Sequence, residues 1–411
     1  MRTIIIGTGI AGVSAAAALR RADPERAIVL IGEEPEVPYR RPPVSKEYFR
    51  AEKDLDQIRI KKPEWYDQQG IDLRTGVRVT SVDAKRHTIR TDDAELEFDQ
   101  LLLVTGGTAR FLPAAGTPAP EGGAPAFHTL RTVSDVPALR DEMSRSGEVL
   151  IVGAGLIGSE IASSAREMGC AVTVLESESL PLTSLLPPTL GRAYADIHRA
   201  EGVELHTEVL VSRIERHAEK TVVEARDGRS WSSPVVIQAI GMQPATALAE
   251  GAGIELADDD GGILVDAYGR TSAPDVWAAG DVASFVHPLV GHRQRIEHWQ
   301  HAQNHGTAVG KAMAGAGAAF DDVPWCWSDQ YGLTLQVAGW PDAGHDVYLR
   351  GSAHERDFSA FFCADGVIVG AVNLERPRDN RTAKKWIARQ MRPDPAVLTD
   401  ENADLSAAVE A

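Results

Sequence analysis

Short, wholly apolar runs recur along this chain, and two of them lead directly into helix-forming segments. Residues 4–6, Ile-Ile-Ile, are too few for a helix and read as a strand buried on both faces. Residues 13–19 continue as an Ala-rich helix, and Ala27–Ile31 is a second apolar strand. The pattern returns with the strand 148–152, an Ala/Ser-rich helix and the strand 171–175. Between strand and helix stand Gly7, Gly9 and Gly12 in the first copy, and Gly153, Gly155 and Gly158 in the second. In a G-x-G-x-x-G turn the first glycine makes the bend and the second lets backbone approach a pyrophosphate. The third lets helix press on strand. The helix's free N–H groups and positive end then face the phosphates. Ile10 and Ala11, like Leu156 and Ile157, lie inside these turns and belong to the same sites. Two such turns predict two bound nucleotides.

Each turn needs an acid for a ribose hydroxyl, about twenty residues past its last glycine. Glu33 and Glu176 fill those places. Glu176 predicts NADH over NADPH, because a carboxylate there repels a 2′-phosphate.

Further strands are expected at 76–82 paired with 85–91, and at 101–104, 202–206, 221–225 and 235–239. Helices are expected at 135–145 and from Trp299 to about residue 313. From Val323 the pattern changes to short β runs at 333–337, 346–349, 358–363 and 367–372, with a hairpin turn at Asp365-Gly366. A helix rich in Arg and Lys follows, and beyond Pro393 a loose polar tail is expected. The Pro/Gly/Ala-rich stretch 114–125 marks a domain boundary.

The composition, 43% hydrophobic and 25% charged over 411 residues, is that of a globular protein of two or three domains. A net charge of −17 argues against nucleic acid as partner. No apolar run reaches the roughly 18 residues of a membrane span, and the first strand leaves no room for a secretion signal, so a cytoplasmic location is expected. Cys170, Cys326 and Cys363 are too scattered for a disulfide framework or a metal site and read as buried small hydrophobes.

One loop identifies a family. Pro38-Tyr39-Arg40-Arg41-Pro42-Pro43-Val44-Ser45-Lys46 resembles the P-Y-x-R-P-P-L-S-K signature of flavin-dependent ferredoxin reductases, the group of putidaredoxin reductase and the reductases of Rieske dioxygenases. The resemblance places Arg41 and Lys46 along FAD, with Lys46 beside the flavin ring, where a cation stabilises incoming negative charge. Read by itself, Lys46 would be a surface lysine. Val79 sits like the family's adenine-contacting valine, Thr105-Gly106 like the turn closing the FAD lobe, and Arg131 like a residue near FAD. Glu160 matches the family's glutamate at the nicotinamide end, and 241–244 its exit from the NAD lobe at Gly241. Ala278-Ala-Gly280-Asp281 is a second FAD fingerprint, and His298-Trp299 opens the helix whose N-terminus faces the flavin. Pro324-Trp-Cys-Trp327-Ser-Asp-Gln330 resembles the family's P-x-F-W-S-x-Q, with Trp327 over the flavin. One departure is Ser184, where many relatives carry arginine.

The resemblance implies a glutathione-reductase-like α/β fold: two Rossmann-like domains, the NAD domain inserted in the FAD domain, and a small α+β C-terminal domain. The expected divisions are 1–112 and 241–320 for FAD, 113–240 for NAD(H) and 321–411 for the C-terminal domain. It also implies electron passage from NADH through FAD to a [2Fe–2S] ferredoxin serving a monooxygenase or Rieske dioxygenase, with no resident metal. Lys46, Glu160 and Trp327 are the expected catalytic residues, and the basic final helix is expected to steer the ferredoxin. An NADH oxidase and a non-catalytic flavin- or NADH-sensing protein are the alternatives. The first needs a redox cysteine beside the flavin, and 36–49 contains none.

Overall fold

A computed structural model of the chain describes residues 1–112 and 126–405, so the expected boundary within 114–125 lies outside the described residues. The chain forms two compact units. One comprises Met1–Arg41, Asp54–Thr108 and Met242–Pro324; the other comprises Pro42–Lys53, Ala109–Gly241 and Trp325–Ala411.

In the first unit five parallel strands lie in the order Val276–Ala278, Gln100–Leu103, Arg2–Ile6, Ala27–Ile31 and Ile71–Arg74. Ile4, Ile6, Val29, Ile31, Leu101 and Leu103 enter one core, whereas Ile5, Ile28, Leu30 and Leu102 enter the core on the opposite face. Successive side chains point to opposite faces, so a strand covered on both sides reads as one apolar run. The helix Ile10–Ala22 lies against Trp299–Met313. A Cβ on Gly306 would stand 2.3 Å from the Ala11 carbonyl oxygen, and one on Gly310 2.6 Å from that of Ala15. The small residues of both helices are therefore a packing requirement. The expected hairpin forms between Val79–Asp83 and Thr88–Thr91, starting later than residue 76. Gly76 is turned (φ +67°) and the Val77 N–H is drawn to the Gly32 carbonyl.

The second unit holds a four-stranded parallel sheet in the order Val203–His206, Ala171–Leu175, Glu148–Val152 and Val236–Gln238. The chain leaves for this lobe and returns side by side: the strands Gly107–Ala109 and Met242–Pro244 pair, and the Arg110 N–H donates to the Gly241 carbonyl at 2.9 Å. One Rossmann-like lobe thus interrupts the other in chain order. Five antiparallel strands follow, in the order Trp325–Gln330, Leu333–Gly339, Val367–Leu374, Asp357–Ala364 and Asp346–Ser352. One face of this sheet, with Leu335, Val337, Phe358, Phe362 and Val372, packs on Leu182, Leu186, Leu190 and Tyr194 of the same unit. The helix Pro377–Ala388 covers the sheet with Trp386, tilted against Phe361 at 6.3 Å. The result is the expected α/β architecture with an α+β C-terminal part.

Residues 394–405 are not loose as expected of the tail. The Asp394 carboxylate caps the helix Pro395–Thr399, Leu398 and Leu405 are buried, and the buried Arg350 donates to the carbonyls of Asp400, Glu401 and Ala403. A buried guanidinium needs acceptors, and the tail's backbone supplies them.

Candidate functional site

The two glycine turns are geometrical copies. Gly7 and Gly153 have φ of +122° and +103°, and a Cβ on either would meet a backbone oxygen, Val104 O at 2.1 Å or Ala239 O at 2.5 Å. A Cβ on Gly12 or Gly158 would stand 2.0 Å from the carbonyl oxygen of Gly7 or Gly153 respectively. Gly9 and Gly155 are different: nothing lies within 4 Å of where their Cβ would be. The turn itself therefore places no steric demand for glycine at those two positions. Both also occupy the N-cap of their helices with no capping side chain and no acidic residue in the first turn. Each helix start is open to an anion. Ile10 and Leu156 begin the helices, Ala11 is buried and Ile157 exposed.

In the first unit, Gly280 (φ +73°) would place a Cβ 3.0 Å from that of Ala11 and 3.5 Å from that of Ala302. The Gly280-Asp281 fingerprint, the first turn and the opening of the Trp299 helix, with His298 at its N-cap, therefore converge. Thr105 Oγ1 donates to the Ala245 carbonyl at 2.7 Å, and the Ala245 N–H donates to the Gly106 carbonyl, closing the lobe where the chain returns. Val79 is buried at the start of its strand. Arg41 and the Tyr39 hydroxyl both reach the Glu34 carboxylate, and Glu33 points outward, 69% exposed, with Arg78 at 3.7 Å. Glu34 is thus the acid that anchors the proline-rich loop, which sequence reasoning misses.

In the second unit, Glu176 is buried at the end of its strand. Its carboxylate accepts the N–H groups of Ala154 (2.5 Å) and Glu178 (2.9 Å). It is thereby fixed beside the second turn. Arg131 lies at the capping turn before Val136–Ser146, its N–H donated to Asp135, and Gly241 (φ +96°) ends the lobe.

The same unit joins two residues expected on separate grounds. Lys46 Nζ and Glu160 Oε1 form an ion pair at 2.7 Å, with side chains only 6% and 4% exposed. The Ser45 hydroxyl donates to Glu160 Oε2, and the Ser328 hydroxyl to Oε1 at 2.7 Å. Lys46 follows the short 3₁₀ turn Pro42–Ser45, whose prolines hold it rigid, and Glu160 lies one turn into the helix Leu156–Glu167. Sequence reasoning misses Ser45 and Ser328, although both stand inside the two quoted signatures. Trp327 stands next to Ser328. On its own face of the strand, Trp325 lies 5.6 Å from it between ring centroids, and Lys384 Nζ sits 4.4 Å over the Trp325 ring.

Behind Gly280 lies a cluster of buried neutral histidines. His305 Nδ1 accepts the Gly280 N–H at 3.3 Å, and His301 lies 5.2 Å from His305 between ring centroids, both packed around Phe285 and Phe320. Burial pushes His305 down to about 3 and His301 well below the ordinary range; in the second unit burial takes His198 down to about 4. A histidine held neutral by the fold contributes fully above the unfolded value of about 6.5, and that contribution is lost as pH falls toward the folded value. Each should cost about 1.4 kcal/mol of stability per pH unit below 6.5. Melting curves between pH 7 and 5 should therefore show a steep fall that His305→Gln flattens.

The three cysteines are buried and free. Burial raises the Cys170 thiol and, with Asp346, lifts Cys363 to about 11, leaving little thiolate at neutral pH. Among the described residues no group of His, Cys, Asp and Glu could hold a metal ion, and no helix is long and apolar enough to cross a membrane.

Residues 1–306 match the family described as pyridine nucleotide-disulphide oxidoreductase, and residues 325–409 match the reductase C-terminal family. The chain belongs to the ferredoxin reductases of this oxidoreductase family. It is 35% identical to the ferredoxin–NAD(+) reductase component of the anthranilate 1,2-dioxygenase system of Burkholderia cepacia, over 98% of each chain. Its identity with putidaredoxin reductase of Pseudomonas putida is 31%, over 98% of this chain and 95% of that one. The structure superposes with a TM-score of 0.92 on the ferredoxin reductase for the CYP199A2 system from Rhodopseudomonas palustris (31% identity, 99% of each chain). It superposes equally well on putidaredoxin reductase from its covalent complex with putidaredoxin (30% identity, 100% of this chain and 99% of that one). The oxidoreductase family implies FAD and NAD(H). Two turns whose middle glycines open onto free space fit two dinucleotides, one in each unit.

Proposed function

We propose that the chain is an NADH-dependent reductase that carries FAD in its first unit and passes electrons to a [2Fe–2S] ferredoxin serving a monooxygenase or Rieske dioxygenase. The observation that carries this reading is the duplicated, uncapped glycine turn in a chain whose thiols are buried, unpaired and scattered. Bound FAD supplies the conversion from two-electron to one-electron chemistry. The chain's own residues do the rest. The helix starts at Ile10 and Leu156 bind pyrophosphates through backbone N–H groups. Asp281 holds the ribityl chain, and the N–H groups opening the Trp299 helix receive negative charge at the flavin's pyrimidine edge. Glu176 takes the ribose hydroxyls of NADH and turns away a 2′-phosphate. Glu160 receives the nicotinamide end, and its salt bridge holds Lys46 in place. Trp327, extended by Trp325, marks the way out for electrons, and the basic Pro377–Ala388 helix attracts an acidic ferredoxin. The division into 1–112, 113–240, 241–320 and 321–411, and a cytoplasmic location, belong to the same reading.

Yellow holoprotein should be bleached by NADH far faster than by NADPH, and should reduce cytochrome c only when a [2Fe–2S] ferredoxin is added. Equal rates with both donors would remove the role of Glu176, and oxygen consumption independent of ferredoxin would favour an oxidase. Lys384→Glu with Lys385→Glu should raise the Michaelis constant for ferredoxin several-fold and leave reduction of a small dye unchanged.

A further inference from the structure

The strand Trp325–Gln330 delivers a hydroxyl whose purpose the roles above leave open. Ser328 is fully buried and gives its proton to Glu160 Oε1 at 2.7 Å, while the buried Gln330 gives its side-chain N–H to Ser328 Oγ at 2.9 Å. An amide nitrogen only donates, so the serine proton is left one direction, toward Glu160. Ser45 donates to the other carboxylate oxygen and Lys46 shares the first. Every neighbour of Glu160 in this cluster donates to it, so the carboxylate is held from three directions.

We propose that Ser328, aimed by Gln330, is a positioning residue for NADH. It fixes where the Glu160 carboxylate sits on the Leu156–Glu167 helix, so that Glu160 and Lys46 meet the nicotinamide end in one geometry. The C-terminal strand thus takes part in NADH oxidation as well as covering the lobe. This rests on the reading that the second turn holds NADH.

The test uses Ser328→Ala, Ser328→Thr and Gln330→Leu in FAD-loaded protein. Two quantities are followed at pH 8: the NAD+ dissociation constant, from tryptophan fluorescence, and the rate of flavin bleaching at saturating NADH. Without one charge-assisted hydrogen bond, Ser328→Ala should weaken NAD+ binding and slow bleaching, each by about tenfold. Ser328→Thr should restore both. Gln330→Leu should shift both in the same direction without lowering the melting temperature, because Gln330 Oε1 is itself buried with no donor and goes with the amide. Both quantities unchanged in Ser328→Ala and Gln330→Leu, or no recovery in Ser328→Thr, would overturn the proposal. Wild-type protein that NADH fails to bleach would instead overturn the proposed function, and NAD+ binding would still test Ser328.

Discussion

Gly9→Val should give a folded but colourless protein, whereas Gly155→Val should give a folded yellow one that NADH hardly bleaches. At both positions the backbone is extended (φ −69° and −74°), which a β-branched residue accepts, and no atom stands within 4 Å of the new Cβ. The fold therefore loses little. The added methyl groups fill the space that a pyrophosphate needs against the helix start, and affinity should fall by at least about a hundredfold, or roughly 3 kcal/mol. Flavin absorbance, NAD+ titration and the melting temperature separate these effects. Gly7→Ala is the contrasting control: its Cβ would meet Val104 O at 2.1 Å on a backbone with φ +122°, so stability itself should fall. If Gly9→Val bound FAD normally, the first turn would not be a phosphate site.

The second large effect concerns the buried ion pair. Lys46→Met and Glu160→Leu should each destabilise the second unit by about 3–5 kcal/mol, because each strands a buried charge. The double variant should recover most of that loss, since two apolar side chains of similar volume need no solvation. Denaturant unfolding of the four proteins gives the coupling directly. Catalysis should behave in the opposite way: the double variant regains stability yet remains unable to take electrons from NADH. Strictly additive losses would mean that the two side chains do not act as a pair.

Much of this molecule is legible in its amino-acid order. The two G-x-G-x-x-G turns, the strands feeding them and the helix from Trp299 stand at or near the positions that the apolar pattern predicts, as do the C-terminal β runs. The proline-rich loop and the W-S-x-Q strand are recognisable as signatures, but what they do to one another is not. The resemblance assigns Lys46 and Glu160 separate roles and gives no reason to single out the serines that bind Glu160. Spacing singles out Glu33 for a ribose and does not reveal that its neighbour Glu34 holds Arg41 and Tyr39. The tail reads as loose because nothing local reveals that Arg350 requires its carbonyls.

The sequence by itself determined the two glycine turns, because much of what they require is local: Gly7 and Gly153 bend at φ +122° and +103°, and a Cβ on Gly12 or Gly158 would strike the carbonyl oxygen of Gly7 or Gly153 a few residues before it. Tertiary structure alone decided the charge cluster, since Ser45 and Ser328 stand 115 and 168 residues from Glu160 along the chain. A buried carboxylate is tolerable only with several donors around it, and which donors reach it depends on how helix, loop and sheet pack within the second unit.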